Sequence, residues 1–354
     1  MGRRLAVLAL LVLVLLSAAA PAAARQSPVG RIDVFVGDDP ETGLTRLYIL
    51  DALSGLSTVV NVEGGRHFAV VGDYVLYEKA RTGAIMRANA RGTLEPHPFI
   101  RRGTGIEQIR WAASPDGSAI AWVEVSTEGV SSLFAAQADG SGLRQLPIST
   151  PGGGQMLLPL ALSNDMTQLI YDAAHPLETS PDALFEVYEY IAVYHIAEER
   201  FLTLSGEPAC PCAAAGTPDG RALARLEATG GRGPFALRLW DVQGGRDVLV
   251  PAPNLAYRLA GDLIVNEAGT LAAYSAAISE GPPYALIVAD VAARRQRLAL
   301  SSEAVRYRPL AFTGGDSLLL LTDAEAGGTF KLDLTTGELV SVSDRRYLGA
   351  IGVP

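Results

Sequence analysis

The amino-acid sequence predicts an all-β fold, a seven-bladed β-propeller built from four-stranded antiparallel blades. Three observations support this prediction. Six stretches of the chain repeat one order of four short strands separated by tight turns, and such repetition is typical of propellers. Residues 31–62 form a unit that lacks its first strand, and residues 346–353 supply a spare apolar strand. Pairing these two segments in one blade would close the ring and remove the exposed edges of an open sheet.

The N-terminus has the order of a secretory signal peptide. Arg3 and Arg4 precede an apolar run at residues 5–16, and small residues then lead to Ala24. The run is shorter than the ~20 apolar residues that fill a bilayer core. We therefore expect cleavage after Ala24, a secreted or periplasmic (extracytoplasmic) location, and no transmembrane segment in the mature chain. Residues 25–354 would form a single propeller domain.

The mature chain is expected to be acidic. The full sequence carries a net charge of −9, and loss of Arg3 and Arg4 with the signal peptide makes this −11. A chain of this charge has no basic stripe that would neutralise the phosphates of a nucleic acid, so we expect no nucleic-acid partner. Its 37 glycines and 21 prolines suit a fold with many tight turns.

The clearest repeat covers residues 106–148 and reads as four strands. A Pro-Asp-Gly turn at residues 115–117 separates the first strand from a largely apolar second strand, and an Asp-Gly-Ser-Gly turn at residues 139–142 precedes the fourth. Pro, Asp and Gly preset or tolerate the backbone angles of such turns. Weaker copies with the same order cover residues 66–99, 157–204, 210–251, 256–300 and 305–344.

This repeat resembles that of the TolB-like β-propellers, a WD-like repeat family. The stretches WAASPDGSAIAW and FAAQADGSGLRQL of the clearest copy carry the resemblance. In other copies the trademark turn is reduced to Asn-Asp at residues 164–165, Ala-Gly at 268–269 and Gly-Gly at 314–315. The resemblance extends over the whole mature chain. It implies a docking surface in the cell envelope or the accessory domain of certain peptidases, and it implies no reaction.

We predict no catalytic residues. The sequence contains no Gly-x-Ser-x-Gly elbow and leaves no chain outside the repeats for a separate hydrolase domain. The four histidines have no obvious Ser or Cys partner, so we interpret them as structural or surface residues. They are His67, His97, His175 and His195.

The two cysteines, Cys210 and Cys212, flank one proline. A disulfide between them would close a small, strained ring. Small buried side chains are therefore favoured over a redox pair, although export would permit oxidation. A zinc site would need four ligands, and the sequence has no second Cys/His pair at ligand spacing to supply them.

Carboxylates recur in the loops between the second and third strands of several blades. In a propeller these loops emerge on one face, where the charges would form an acidic rim that attracts cations or basic partners. The alternative is that they are ordinary solvated loops of an acidic protein. The candidate binding residues are Asp38, Asp39, Glu41, Glu128, Glu178, Asp182, Glu280, Asp323 and Glu325.

Two arginines are candidates for the central channel. Arg110 and Arg308 lie on or near the first strands of their repeats, and first strands line the channel in this architecture. They would either hold an anion there or pair with carboxylates of neighbouring blades.

The fourth repeat has an unusual excursion at residues 175–196. Aromatic and acidic residues alternate along it, which suggests an extended hairpin on a scaffold that often presents recognition loops. Alternatively, residues 188–195 are an ordinary third strand, and only residues 175–184 are extra.

Two functional hypotheses follow. The first is a non-enzymatic, secreted or envelope-associated protein-binding or scaffolding module, monomeric and without a cofactor. Its partner would be an envelope or extracellular protein or a cell-wall component. The alternative is a propeller enzyme, lactonase-like or lyase-like, whose channel carboxylates hold a divalent cation such as Ca²⁺.

Overall fold

The computed structural model confirms the predicted propeller. It describes residues 31–39, 41–149, 155–176, 184–186, 188, 190–202, 213–228, 233–242 and 247–352. These residues form seven four-stranded antiparallel sheets. The predicted signal peptide, Cys210 and Cys212 lie outside the described residues.

The first blade joins the two ends of the chain. Its strands are β1 (Arg31–Asp38), β2 (Thr45–Asp51), β3 (Ser57–Asn61) and β28 (Arg346–Gly352). Strand β28 is innermost and pairs antiparallel with β1, with Ile32 opposite Ile351 and Val36 opposite Arg346. The ring is therefore closed by hydrogen bonds between segments about 300 residues apart, as the spare strand predicted.

The other six blades are each continuous in sequence, and the first strand of each is innermost. The second blade contains β4 (Gly65–Val71), β5 (Tyr74–Lys79), β6 (Ile85–Asn89) and β7 (Leu94–Pro96). The third contains β8 (Ile106–Ala113), β9 (Ala119–Ser126), β10 (Ser131–Gln137) and β11 (Arg144–Ser149). The fourth contains β12 (Gln155–Leu162), β13 (Gln168–Pro176), β14 (Ile191–His195) and β15 (Arg200–Leu202).

The remaining three blades follow the same order. The fifth contains β16 (Ala214–Gly216), β17 (Ala222–Ala228), β18 (Phe235–Asp241) and β19 (Asp247–Val250). The sixth contains β20 (Leu259–Val265), β21 (Leu271–Ala277), β22 (Tyr284–Asp290) and β23 (Arg295–Ser302). The seventh contains β24 (Tyr307–Thr313), β25 (Leu318–Asp323), β26 (Thr329–Asp333) and β27 (Leu339–Ser343). Within the described ranges, no helix is long and apolar enough to cross a membrane.

The core lies between the blades. Strands β5, β9 and β21 are buried almost throughout, because a middle strand is covered by a neighbouring blade on each side. This explains why the second strand of each repeat reads as an apolar run rather than as an alternating pattern. Val123 of the third blade and Leu169 of the fourth, for example, belong to one cluster of buried side chains.

The two faces of the ring differ in which loops they carry. Because adjacent strands are antiparallel, the loops between second and third strands all lie where the inner strands begin. We call this side the loop face. The turns between first and second strands lie on the opposite side, the turn face.

The turn-face turns are held by side-chain hydrogen bonds that explain the repeated Pro-Asp-Gly. The Ser114 hydroxyl donates to the Asp116 carboxylate at 2.8 Å, which also accepts the Ser118 N–H at 2.9 Å. Gly117 adopts φ +73°, which favours glycine. The same hydroxyl-to-carboxylate bond joins Ser163 to Asp165 at 2.7 Å and Thr217 to Asp219 at 2.8 Å.

His97 is a structural residue, in line with our interpretation. Its ring is fully buried, and Nδ1 accepts the Ile100 N–H at 3.0 Å. Nε2 lies 3.0 Å from the hydroxyl of Tyr74, which donates to the Ala138 carbonyl in the third blade. Burial, reinforced by the charges of Arg87 and Arg101, lowers the pKa of His97 to about 4, so the ring is neutral and locks two blades together.

Candidate functional site at the mouth of the central channel

A central cavity of about 1430 Å³ runs between the inner strands. Its middle is lined by small and apolar side chains such as Leu160, Ala214 and Ile264. Charged residues gather at its two ends. On the loop face it is lined by Glu186, Tyr188, Asp262 and Arg308, and on the turn face by Asp116, Asp219, Glu267 and Asp316.

One cluster of charges at the loop face is organised by Glu78 on β5. Glu78 is 2% exposed and accepts hydrogen bonds from Arg66 at 2.7 Å and His67 Nδ1 at 3.1 Å. Arg102 lies 4.0 Å from the same carboxylate. Burial alone would raise the pKa of Glu78, but the hydrogen bonds and charges of His67 and Arg66 outweigh it and lower the pKa to about 2. Glu78 is therefore an anion that holds several cations in place.

His67 occupies an unusual backbone position within β4. Its φ is +54°, in the left-handed region that side chains other than glycine rarely adopt. The pairing of β4 with β5 shifts register between Arg66 and Ala69, which is a β-bulge. Bulges re-aim side chains and are frequent near functional sites. Here the bulge brings His67 Nδ1 between Glu78 and Arg110, whose Nη1 lies 3.4 Å away.

Arg110, a predicted channel residue, completes this cluster from β8. Burial lowers the pKa of its guanidinium; the charges of Glu78 and Glu186 act in the opposite direction, whereas Arg66 and Arg102 lower the pKa further. Among the described residues, Arg110 forms no ion pair with a carboxylate. It is a half-buried cation near two carboxylates and two arginines, and its guanidinium donates to the Gln108 side-chain oxygen at 2.6 Å and to the Ile109 carbonyl at 3.3 Å.

A second cluster stands on the sixth and seventh blades. Asp262, inside β20, also has a left-handed φ of +54° and lies in a bulge between Gly261 and Ile264. Its carboxylate pairs with Arg306 at 2.7 Å and with Arg308 at 3.3 Å. Arg308 therefore pairs with a carboxylate of a neighbouring blade, which is one of the two roles that the sequence predicted for it. Its side chain nevertheless remains 54% exposed and lines the cavity.

Arg346 at the start of β28 joins the second cluster. Burial and the nearby charge of Arg308 lower the pKa of Arg346, while Asp38 acts in the opposite direction. Like Arg110, Arg346 has no ion-pair partner within the part of the chain that the structure describes. Its side chain reaches solvent at the loop face.

The excursion of the fourth blade passes over this mouth. Phe185 packs with Ala277 and Tyr284 of the sixth blade, and the Arg306 guanidinium lies 5.2 Å from its ring centroid. The contact with Gly261 is so close that a Cβ there would lie 2.6 Å from the Phe185 side chain. The excursion therefore reaches past the fifth blade.

The residues after Phe185 bring a chain of polar groups to the cavity. Tyr188 lies three residues before β14, the third strand of this blade, and residues 177–183 of the excursion lie outside the described residues. The Tyr188 hydroxyl donates to Glu186 at 3.3 Å. His175 lies with Nδ1 3.3 Å from the buried Asp172 and Nε2 3.6 Å from Glu186. Burial raises the pKa of Tyr188, so it is a neutral hydrogen-bonding group.

We call this ring of charges the arginine mouth. Its cations outnumber its carboxylates although the protein as a whole is acidic. The cations are Arg66, Arg102, Arg110, Arg306, Arg308 and Arg346. The carboxylates are Glu78, Glu186, Asp262 and Asp38.

The predicted acidic residues are distributed over loop-face loops around this mouth. Asp39 is buried, where it pairs with Arg46 at 2.9 Å and accepts a hydrogen bond from Thr42. Asp38 accepts the Thr45 hydroxyl, and Asp323 accepts two backbone N–H groups of its own loop. Glu41, Glu128, Glu280 and Glu325 are exposed, and Glu178 and Asp182 lie outside the described residues.

Sequence reasoning identified part of this site. It predicted Arg110 and Arg308 as channel residues, of which Arg308 lines the cavity and Arg110 lies in the first cluster. It missed Glu78, His67 and Asp262, which organise the two clusters. The Arg-x-Arg pattern at residues 306–308 was a usable signal for the second cluster. In the described segments, no three His, Cys, Asp or Glu side chains come together as ligands for a metal ion.

Comparison with known proteins supports the fold. No family model and no curated protein matches the sequence. A solved oligogalacturonate lyase in complex with manganese is similar, with TM-score 0.59, 12% identity, and coverage of 88% of this chain and 96% of that one. The corresponding values for TolB from Acinetobacter baumannii are 0.50, 13%, 90% and 81%.

A third similar structure is the periplasmic gluconolactonase of Pseudomonas aeruginosa, with TM-score 0.53, 18% identity, and coverage of 92% of this chain and all of that one. These neighbours differ in what they do. At such low identity they show a shared fold, TolB among them, and leave activity to be argued from the site.

Proposed function

We propose that this protein is a secreted or envelope-associated binding module that takes an anionic ligand at the arginine mouth. The single observation that supports this most is the state of Arg110 and Arg346. Arg110 is a half-buried cation and Arg346 an exposed one, both lie near other arginines, and neither forms an ion pair with a carboxylate among the described residues. The hydrogen bonds that Arg110 makes to the Ile109 carbonyl and to the Gln108 side-chain oxygen leave its charge without an ion-pair partner, and a bound anion would lower the cost of burying that charge.

The chemistry of arginine specifies the kind of ligand. A guanidinium presents a planar set of N–H donors that matches carboxylate or phosphate oxygens, and such charge-assisted bonds are stronger than neutral ones. Several arginines at one channel mouth would also attract anions electrostatically. The remainder of this acidic protein would repel them, which confines binding to the mouth.

The cellular setting remains as the sequence suggested. A signal peptide and the TolB-like fold favour the periplasm or cell exterior, where the partner would be an envelope or extracellular protein or a cell-wall component. The arginine mouth replaces the acidic loops as the proposed principal contact. The exposed loop carboxylates would then border that contact rather than form it.

Thermal unfolding in the presence of simple anions tests this proposal. The mature wild-type protein should be stabilised by phosphate and acetate relative to chloride at equal ionic strength, because a ligand that binds only the folded state raises its stability. A double variant, R110A/R346A, should lose this shift. The matched control R295A removes an exposed arginine on β23 and should retain it. An undiminished shift in the double variant would contradict the proposal.

One observation favours a second candidate, an enzyme that acts on an anionic substrate. The chain from buried Asp172 through His175 and Glu186 to Tyr188 resembles the orientation of a general base by a carboxylate, and it ends at the cavity. The similar oligogalacturonate lyase makes oligogalacturonate a reasonable trial substrate. Formation of an unsaturated product by wild type and its loss in H175N would support this candidate. No turnover by wild type would count against it.

A further inference from the structure

We infer that the ligand carries two anionic groups joined by an uncharged linker, one group for each side of the arginine mouth. This inference rests on the proposed function and specifies its ligand. The first side consists of Arg66, Arg102 and Arg110, gathered around Glu78. The second side consists of Arg306, Arg308 and Arg346, gathered around Asp262.

Arg110 and Arg308 lie far apart on the ring, whereas Arg66 of the first side and Arg346 of the second stand on neighbouring blades. Arg110 belongs to the third blade and Arg308 to the seventh, so two blades separate them in one direction and three in the other. In a seven-membered ring this is close to the largest possible separation. A single carboxylate or phosphate held by Arg110 would therefore not reach Arg308.

Each side has a surplus of positive charge. Three guanidiniums stand against one organising carboxylate on the first side, Glu78, and that carboxylate is already bonded to Arg66 and His67. On the second side Asp262 is engaged by Arg306 and Arg308, while Asp38 near Arg346 accepts the Thr45 hydroxyl. When Glu186, whose charge acts on Arg110, is also counted, each side keeps one positive charge in excess, and one further anion on each side would balance it.

Each side contains one residue with an unusual backbone conformation. Seven non-glycine residues of the described chain have a positive φ, and five of them lie in turns or loops. The two inside strands are His67 and Asp262, each in a bulge of an inner strand and each bonded to an arginine cluster. Such conformations carry a cost of roughly 1 kcal/mol or more and persist where the surrounding structure requires them.

The region between the two sides specifies the linker. Glu186 and Tyr188 lie there, facing the cavity, and the Glu186 side chain is 52% exposed. The Glu186 carboxylate would repel a third anionic group at the centre. It would accept hydrogen bonds from hydroxyl or amide N–H groups of a neutral linker.

Calorimetric titration of the mature protein with linear α,ω-dicarboxylates of increasing length, from succinate upward, tests the inference. Each diacid is compared with its monoamide, which keeps the length but loses one charge. We expect an optimum length at which the diacid binds at least ~10-fold more tightly than the monoamide, because the second contact becomes intramolecular. A parallel series of alkane bisphosphonates distinguishes a carboxylate ligand from a phosphate ligand through the tighter optimum.

Variants on each side define the geometry. R110A and R308A should each reduce diacid affinity to that of the monoamide, whereas the control R295A should leave it unchanged. R110K keeps the charge and should retain a length optimum, which separates loss of a contact from loss of folding. E186Q should newly accept a tricarboxylate with a central charge, such as tricarballylate.

The outcomes distinguish a failure of the two-group ligand from a failure of anion binding itself. If monoamides and diacids bind equally at every length and both depend on Arg110, the two-group ligand is wrong while anion binding stands. If no anion of either series binds to wild type, both are wrong. A length optimum that survives R308A would also overturn the assignment of the second side.

Discussion

The two ends of the central channel use charge in different ways. On the turn face, the carboxylates of Asp116 and Asp219 accept hydrogen bonds from hydroxyl groups two residues before them, so each organises its own turn. At the loop face, Arg110 of the third blade and Arg346 of the first blade each lie near other arginines and have no ion-pair partner in the described chain. Charge that is satisfied locally stabilises the fold, whereas charge gathered without a partner remains free to bind.

The largest expected effect concerns Glu78, a loop-face carboxylate whose charge is satisfied by Arg66 and His67. Its pKa falls from an ordinary 4.5 to about 2 on folding, so the folded state binds fewer protons than the unfolded state in that range. The stability it contributes is complete above pH 4.5 and is lost as the pH falls towards 2, by up to about 3 kcal/mol.

Urea unfolding at a series of acidic pH values measures this contribution. E78Q should lack the corresponding slope. The control E95Q, which removes an exposed ion pair with Arg87 in the same blade, should keep it. A wild-type slope in E78Q would show that Glu78 does not anchor the first cluster.

The next effect tests how the excursion is anchored. G261A places a Cβ against Phe185, so either the ring or β20 must move, at a cost of about 2 kcal/mol. Because Phe185 lies under Arg306, anion stabilisation should also fall. G281A has open space around its new Cβ and serves as the control for both chemical unfolding and anion titration. Equal behaviour of the two variants would argue against an anchored excursion.

A smaller effect is expected on the turn face. D219A removes the acceptor for Thr217 and for the Arg221 N–H, so unfolding free energy should fall by about 1 kcal/mol. Anion-induced stabilisation should not change, since this turn lies at the other end of the channel. A variant that kept its stability but lost anion binding would reverse the distinction between the two ends.

The smallest effect concerns the exposed loop carboxylates. The triple variant E128Q/E280Q/E325Q should bind anions at most ~3-fold more tightly at low salt, and the gain should vanish at high salt because these charges are solvated. Titration at two ionic strengths measures it. A large loss of partner capture from an envelope extract in this variant, with anion binding intact, would restore the acidic rim as the principal surface.

The fold was largely predictable because its signals are local. A Pro-Asp-Gly turn at residues 115–117 and the apolar strand after it specify a hairpin from neighbouring residues, and repetition multiplies that information. Even the degraded turn at residues 164–165 keeps its carboxylate, and Asp165 accepts the Ser163 hydroxyl as Asp116 accepts that of Ser114.

The site was less predictable because it depends on contacts between distant residues. The left-handed backbone at His67 and Asp262 accompanies β-bulges, where the pairing of two strands shifts register. No residue pattern in the sequence predicts these bulges. Phe185 can pack against the sixth blade because Gly261 has no side chain. Arg110 could be named as a channel candidate because its place on a first strand can be read from the repeat, without knowledge of distant contacts.

Because the first blade is closed by pairing of the two chain ends, the proposed ligand would also affect the stability of the ring. Arg346 reaches the mouth only when β28 has paired with β1. An open ring would therefore lack one of the arginines of the second side and bind its ligand weakly. A ligand that requires Arg346 would stabilise the closed ring relative to forms in which β28 has separated from β1. Ligand binding would therefore protect the pairing of the two chain ends.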